Sequence, residues 1–321
     1  MSFASNARAE MARELCSDGC CARAELAAAL LASGGISYRF GGGASGYALS
    51  ITAAEAAVVR HYFQLLKRHF GVTAQIRTLR SNSLKGQTRY QLVIPDADAA
   101  RILEETGLRD GEALFGVRQA PPDALTAYAC CKKNFVKSAF MVCGGLANPE
   151  RQYHIEIAAP TEEFAEYVIK SLNYYEIFAK KSCRKAKFVV YLKKSDDVSD
   201  MLTLMGASQC VLELQNVRIR KDVSNRVNRQ LNCDSSNINR TMETALRQAA
   251  DIRYIDAELG LDKLPAPLRA VAEARLENEE ASLAALGEML APPVGKSGVN
   301  ARLRKLAEIA DKLRSGEELK L

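Results

Sequence analysis

ELAAALLASGGIS (25–37) and FVKSAFMVCGGLA (135–147) are two apolar stretches about 110 residues apart, and each ends in a double glycine. Either one alone reads as a helix closed by a glycine C-cap, because glycine enters the left-handed region without a Cβ penalty. The flanks decide otherwise. YALSI (47–51) alternates like a half-buried strand and leads into AAEAAVVRHYFQLLKRHFG (53–71), a long amphipathic helix; YHIEI (153–157) and PTEEFAEYVIKSLNYYEIF (160–178) repeat that order. RYQLVIPDADAARILEETG (89–107) and KFVVYLKKSDDVSDMLTLMG (187–206) then add a strand and a helix to each copy, the helices opening near Asp96 and at Ser195 as N-cap. The spacing predicts an α+β architecture of two pseudo-symmetric αββαββα repeats, over 1–115 and 116–216. The glycine-ended helices should meet at a pseudo-dyad, where Ala28, Ala32, Gly34, Ser138, Val142 and Gly144 are small enough for a close contact.

Beyond residue 217 the pattern weakens into an Asn- and Arg-rich stretch, 217–258, read as a helical linker. Two readings of it stand side by side. Arg226, Asn228, Arg229, Asn237 and Arg240 suit contacts with phosphates or base edges, whereas a connecting helix with a break near Asp234–Ser236 needs no ligand. An all-α domain follows over 259–321. Pro267 is tolerated in the first turn of one helix, with Leu268, Val271, Ala272 and Leu276 on its apolar face. Ser282 caps the next, which buries Leu283, Leu286 and Leu290 and must end at Pro292–Pro293. Ser297 can cap the last, whose Val299, Leu303, Leu306, Ala310 and Leu313 form one stripe. That order predicts a helix-turn-helix with a basic recognition helix: Lys296, Ser297 and Asn300 near base edges, Arg304 next, Arg302, Lys305 and Lys312 on phosphates, and Ala301 leaving room for close approach.

The 321 residues suffice for about two domains. A net charge of +6 is modest, but the excess collects in the C-terminal third, from Arg218 to Arg253 and from Lys296 to Arg314, as double-stranded DNA would require. The opening MSFASNARAEMARELC is no signal peptide and no segment is long and apolar enough to span a bilayer, so a cytoplasmic, nucleoid-associated protein without membrane partners is expected. Nine cysteines include no C-x-x-C pair and only three histidines accompany them, so reduced, mostly buried thiols are expected and no metal site.

The repeat resembles the LAGLIDADG homing endonuclease fold, on Leu26 to Gly34 (LAAALLASG) and Val136 to Gly144 (VKSAFMVCG). That resemblance implies an acid immediately before the glycine in each copy, the pair holding divalent metals for DNA cleavage. Ser33 and Cys143 stand there instead, and neither is a good ligand for a hard cation; Glu25 lies too early on its helix to substitute. No catalytic residue, no cofactor and no enzymatic activity are therefore expected.

The whole chain resembles the WhiA family of bacterial sporulation and cell-division regulators, most specifically in CCARAELAAALL (20–31), NRVNRQLNC (225–233), RQAADIRYI (247–255) and EASLAALGEMLAPPVGKSGVNARLRKL (280–306). The family motif has serine where Gly295 stands and histidine where Ala301 stands. The resemblance implies a transcription factor acting at promoters of sporulation, division or chromosome-segregation genes, with a helix-turn-helix like region 4 of sigma factors. In some bacteria a WhiB-type iron–sulphur regulator or a sporulation sigma factor is its partner. A nuclease with relocated ligands and a protein-interaction hub, localised by DNA, are the competing functional classes.

Overall fold

A computed structural model of the chain describes residues 2–39, 46–80, 88–112, 116–184 and 187–316. They form two compact units, Met1–Lys221 and Asp222–Leu321. The 115/116 boundary expected between the repeats abuts residues 113–115, which lie outside the described residues.

In the first unit the repeat is confirmed strand by strand. The helix α1 (Phe3–Met11) precedes α2 (Gly19–Ser33), β1 (Ile36–Arg39), β2 (Gly46–Ala53), α3 (Ala56–Leu65), β3 (Gln75–Arg80), β4 (Thr88–Ile94) and α4 (Asp96–Glu105). The second copy runs α5 (Ala129–Cys143), β5 (Gly144–Leu146), β6 (Ile155–Ala159), α6 (Glu162–Asn173), β7 (Lys180–Arg184), β8 (Lys187–Leu192) and α7 (Ser195–Leu204). Both sheets are antiparallel and share one topology, β1-β2-β4-β3 and β5-β6-β8-β7. Period-two burial explains the central strands: Leu49, Ile51 and Ala53 in β2, and Ile155, Ile157 and Ala159 in β6, face the core.

The helices α2 and α5 lie against each other at the centre, with Ala28 and Ser138 fully buried. Their double glycines do different work. Gly34 is left-handed (φ 62°), and the Gly35 and Gly34 N–H groups donate to the Leu30 and Leu31 carbonyls, which ends α2 in a Schellman turn. Gly144 is extended and runs directly into β5; a Cβ there would meet the Phe140 ring at 2.2 Å.

The sequence did not announce α1, which buries Phe3, Ala7 and Met11 at four-residue spacing. Lys194, not Ser195, occupies the N-cap of α7; Asp196 and Asp197 in its first turn supply the negative charge that this end of a helix favours. The break near Asp234–Ser236 that one of the two readings places in this stretch is also absent. Helix α8 runs unbroken over Ser208–Glu258, a span without glycine or proline, and its polar side chains bond within the helix, as Thr241 Oγ1 to the Asn237 carbonyl and Gln230 to Asp234. The thiols are not mostly buried either: Cys130, Cys183 and Cys233 are exposed, and Cys16, Cys20 and Cys143 half-buried.

In the second unit α9 (Ala266–Glu277), α10 (Leu283–Met289) and α11 (Lys296–Ser315) enclose a separate core. Val299, Leu303, Leu306 and Ala310 are buried as their spacing predicts, and Ile309 joins them. Ile252 and Ile255 fill the same core, so the last turns of α8 belong to this unit rather than only leading to it.

Candidate nucleic-acid interface

Three local devices set the α10–α11 geometry. Ser282 Oγ accepts the Ala285 N–H (3.2 Å) and starts α10, as its sequence position predicts. Arg275 on α9 is 1% exposed, and its guanidinium donates to the Ala281 (2.6 Å) and Glu279 (3.3 Å) carbonyls, fixing the connection into α10. Desolvation holds its pKa below the ordinary arginine value. The chain after α10 then folds back so that the Val294 N–H donates to the Gly287 carbonyl (2.9 Å); a Cβ on Gly287 would stand 2.0 Å from the Val294 oxygen. Ser297 is not the cap of α11. Gly295 takes that position, so the first turn has no side-chain acceptor for its free N–H groups.

Of the residues predicted to meet DNA, Ser282, Lys296, Ser297, Asn300, Ala301, Arg304, Lys305 and Lys312 are exposed and Arg302 is half-buried. Ser282, Lys296 and Asn300 come together with Arg240 and Thr244 of α8 around one groove of about 430 Å³. The rest of the α8 set does not join them. Arg226 lies about 21 Å up the helix from Arg240 at 1.5 Å per residue, and Asn228, Arg229 and Asn237 lie between, all exposed. Lys312 stands about 24 Å along α11 from Lys296, at its other end.

Ion pairing sorts the basic excess that composition alone leaves undivided. Arg218 pairs with Asp196, Arg220 with Glu150 (2.7 Å), and Arg253 with Glu279. Arg314 pairs with Asp251 (2.7 Å) and Asp311 (3.1 Å) and lies over the Tyr254 ring, fastening α11 to α8. Among the described residues Arg226, Arg229, Arg240, Lys296, Arg302, Arg304, Lys305 and Lys312 are in no ion pair, so their charge stays available to a polyanion.

The glycine ends of α2 and α5 hold neutral, inward-bonded groups. Ser33 Oγ lies 3.2 Å from both the Leu30 and Ser50 carbonyls, and Cys143 Sγ bonds the Ala139 carbonyl (3.1 Å). Burial pushes the Cys143 thiol up to about 12, so it stays a neutral thiol near neutral pH. Arg8 adds a cation there, donating to the Gly144 carbonyl (2.6 Å) and bidentately to Glu55.

Midway along the same helices lies a polar network that sequence reasoning missed. Glu25 Oε1 meets His61 Nε2 (2.7 Å) and Lys137 Nζ (3.4 Å), with Glu25 and His61 side chains wholly buried. Tyr62 and Ser138 hydroxyls continue it to the Glu25 carbonyl. Burial alone would raise the Glu25 pKa, but His61 and Lys137 outweigh it and hold the carboxyl below the usual carboxylate range. The clue in the sequence was an acid and a lysine inside otherwise apolar helix text.

Three family models divide the chain: WhiA N-terminal LAGLIDADG-like domain over residues 19–109, WhiA LAGLIDADG-like domain over 132–224, and WhiA C-terminal HTH domain over 227–310. A relative from Desulforamulus reducens, named probable cell division protein WhiA, is 40% identical over 99% of this chain and 98% of its own length. One of the same name from Alkaliphilus metalliredigens is 37% identical over 98% of this chain and 99% of its own. The crystal structure of full-length DUF199/WhiA from Thermatoga maritima shares the fold, with a TM-score of 0.54 at 20% identity over 97% of this chain and 99% of that one.

Proposed function

Because the chain belongs to the WhiA family, we propose that it is a DNA-binding transcriptional regulator in which the C-terminal unit reads promoters of division and sporulation genes. The observation that carries this reading is the convergence of Ser282, Lys296, Asn300 and Arg240 on one groove, beside a recognition helix on which Lys296, Arg302, Arg304, Lys305 and Lys312 are in no ion pair among the described residues. Lys296, Ser297 and Asn300 lie closest to base edges, Ala301 permits close approach, and Arg304 follows on the exposed side. Arg302, Lys305 and Lys312 hold phosphates, and Arg226, Asn228, Arg229 and Asn237 extend the contact along α8. The repeat domain acts without catalysis, as a surface for DNA or protein, since Ser33 and Cys143 offer no carboxylate for a hard metal. Cytoplasmic, nucleoid-associated action, an influence on chromosome segregation, and partnership with a WhiB-type regulator or a sigma factor complete the proposal.

The test is retention of genomic fragments by the full chain and by residues 222–321, at two salt concentrations with competitor DNA. The fragment starts at 222 because Ile252 and Ile255 complete its core. Selective retention that falls with salt, by a log–log slope of roughly 0.9 per phosphate contact, supports promoter recognition. Weak binding without preference refutes it and favours a protein-interaction hub that uses DNA for localisation.

A further inference from the structure

The repeat places a second constellation at the opposite end of the central helix pair from Ser33 and Cys143. Cys20 and Cys21 are the second and third residues of α2, and Cys130 and Cys131 hold the same places in α5. The two vicinal pairs are thus equivalents under the pseudo-dyad, and all four Sγ atoms lie within 4.8 Å of one another. From these four thiols we propose a mononuclear tetrathiolate site for a soft divalent metal, zinc, which ties the two repeats together across their dyad.

Geometry favours one ion over the alternatives. A zinc ion bound by four thiolates at about 2.3 Å separates the sulfurs by about 3.8 Å, which fits within the 4.8 Å that spans all four here. An iron–sulphur cluster interposes several metal atoms and inorganic sulfides, and so needs thiolates spread farther apart. Two disulfides need only pairwise proximity, whereas here every sulfur is near the other three. Cys21 and Cys131 are buried against Ala24 with Leu125 beside them, which gives the site a dry wall. Cys130 is exposed and Cys20 half-buried, which leaves a route for the ion.

Loading balances as one Zn²⁺ and four thiols giving one zinc tetrathiolate of charge −2 and four released protons. The surroundings compensate that charge. Both helices direct their N-terminal, positive ends at the cluster, and Lys133 lines the adjoining groove with Cys21 and Cys130, a groove that also holds Glu14, Asp18 and the Glu25-paired Lys137. The signal was legible only through the repeat: a search for C-x-x-C spacing passes over two C-C pairs that the fold superposes.

The experiment is elemental analysis of the full chain purified with reductant and without chelator, followed by Co²⁺ titration of the metal-free chain. Expected are about one zinc per chain and the visible ligand-field and near-ultraviolet charge-transfer bands of tetrahedral cobalt thiolate. Cys130→Ser, at the exposed rim, should weaken Zn²⁺ retention by more than the ~10–100-fold typical of an outer-shell loss, and Cys183→Ser should leave it unchanged. Metal-free chain with no cobalt–thiolate spectrum and freely reactive thiols overturns the proposal. So does peptide mapping that finds the 20/21 and 130/131 segments joined by disulfides in the freshly isolated chain.

Discussion

Replacing Gly287 by alanine sets two effects against each other at the turn that aims α11. Gly287 lies inside α10, where alanine is favoured by about 0.8–1.0 kcal/mol. Against this, the added Cβ would stand 2.0 Å from the Val294 carbonyl oxygen, 3.2 Å from its carbon and 3.3 Å from Val299 Cγ2. The obstacle is backbone, so the 290–295 segment must retreat by more than an ångström and the Val294–Gly287 hydrogen bond is lost. That loss costs about 1 kcal/mol and the overpacking about 1–3 kcal/mol. The clash therefore wins, with a net destabilisation of roughly 1–3 kcal/mol of the second unit. Hydrogen exchange read by mass spectrometry on peptides of α10 and α11 should quicken by about 5–150-fold, with α2 and α5 unaffected as internal controls. DNA retention should fall in parallel. Unchanged or slower exchange in α10 and α11 would refute the reasoning, because it would mean that the turn absorbs a Cβ without giving way.

Arg304→Ala should weaken promoter binding by roughly 1–3 kcal/mol if Arg304 contacts a base edge, and equal affinities in a titration would remove it from the interface. Ser282→Ala removes the α10 cap and should cost about 0.5–2 kcal/mol, read as faster exchange of the Ala285 amide; identical protection would show that the cap bond contributes nothing. Glu25→Gln should destabilise the first unit by about 3–5 kcal/mol at neutral pH, since it leaves Lys137 and His61 without their acid. The Glu25 carboxyl titrates lower folded than its usual 4.5, so its contribution is present above that pH and lost as pH falls through the depressed value. The gap between wild type and variant in urea denaturation should accordingly close in acid, and a gap independent of pH would rule this account out.

The repeat was legible because its information is redundant: apolar text, strand alternation and helix periodicity recur in one order, and each copy corroborates the other. The helix-turn-helix was legible through Ser282, the proline pair and the Val299–Leu303–Leu306 stripe, which are local signals. What escaped was non-local or conditional. A break near Asp234–Ser236 is one of two readings of the Asn- and Arg-rich stretch, yet a span without glycine or proline stays helical when its side chains bond to carbonyls four residues back. Arg275 carries no sequence signal that sets it apart, and only the fold shows it buried on three carbonyls of the following loop. Ser297 read as a cap because of its residue type, while backbone geometry assigned that place to Gly295.

Fusing the two halves into one chain has a consequence visible at Glu25. A symmetric pair of identical subunits would set two copies of every central side chain face to face, so an acid near the axis would confront its own image. Here the position matching Glu25 in the second copy is Phe135, and Lys137 answers to Ala27 in the first. One half can then donate the cation, the other the anion, and a ring fills the space where the second charge would have been. Covalent linkage has released the axis from self-complementarity, so this fold can keep a dipole at its centre that a homodimer could not.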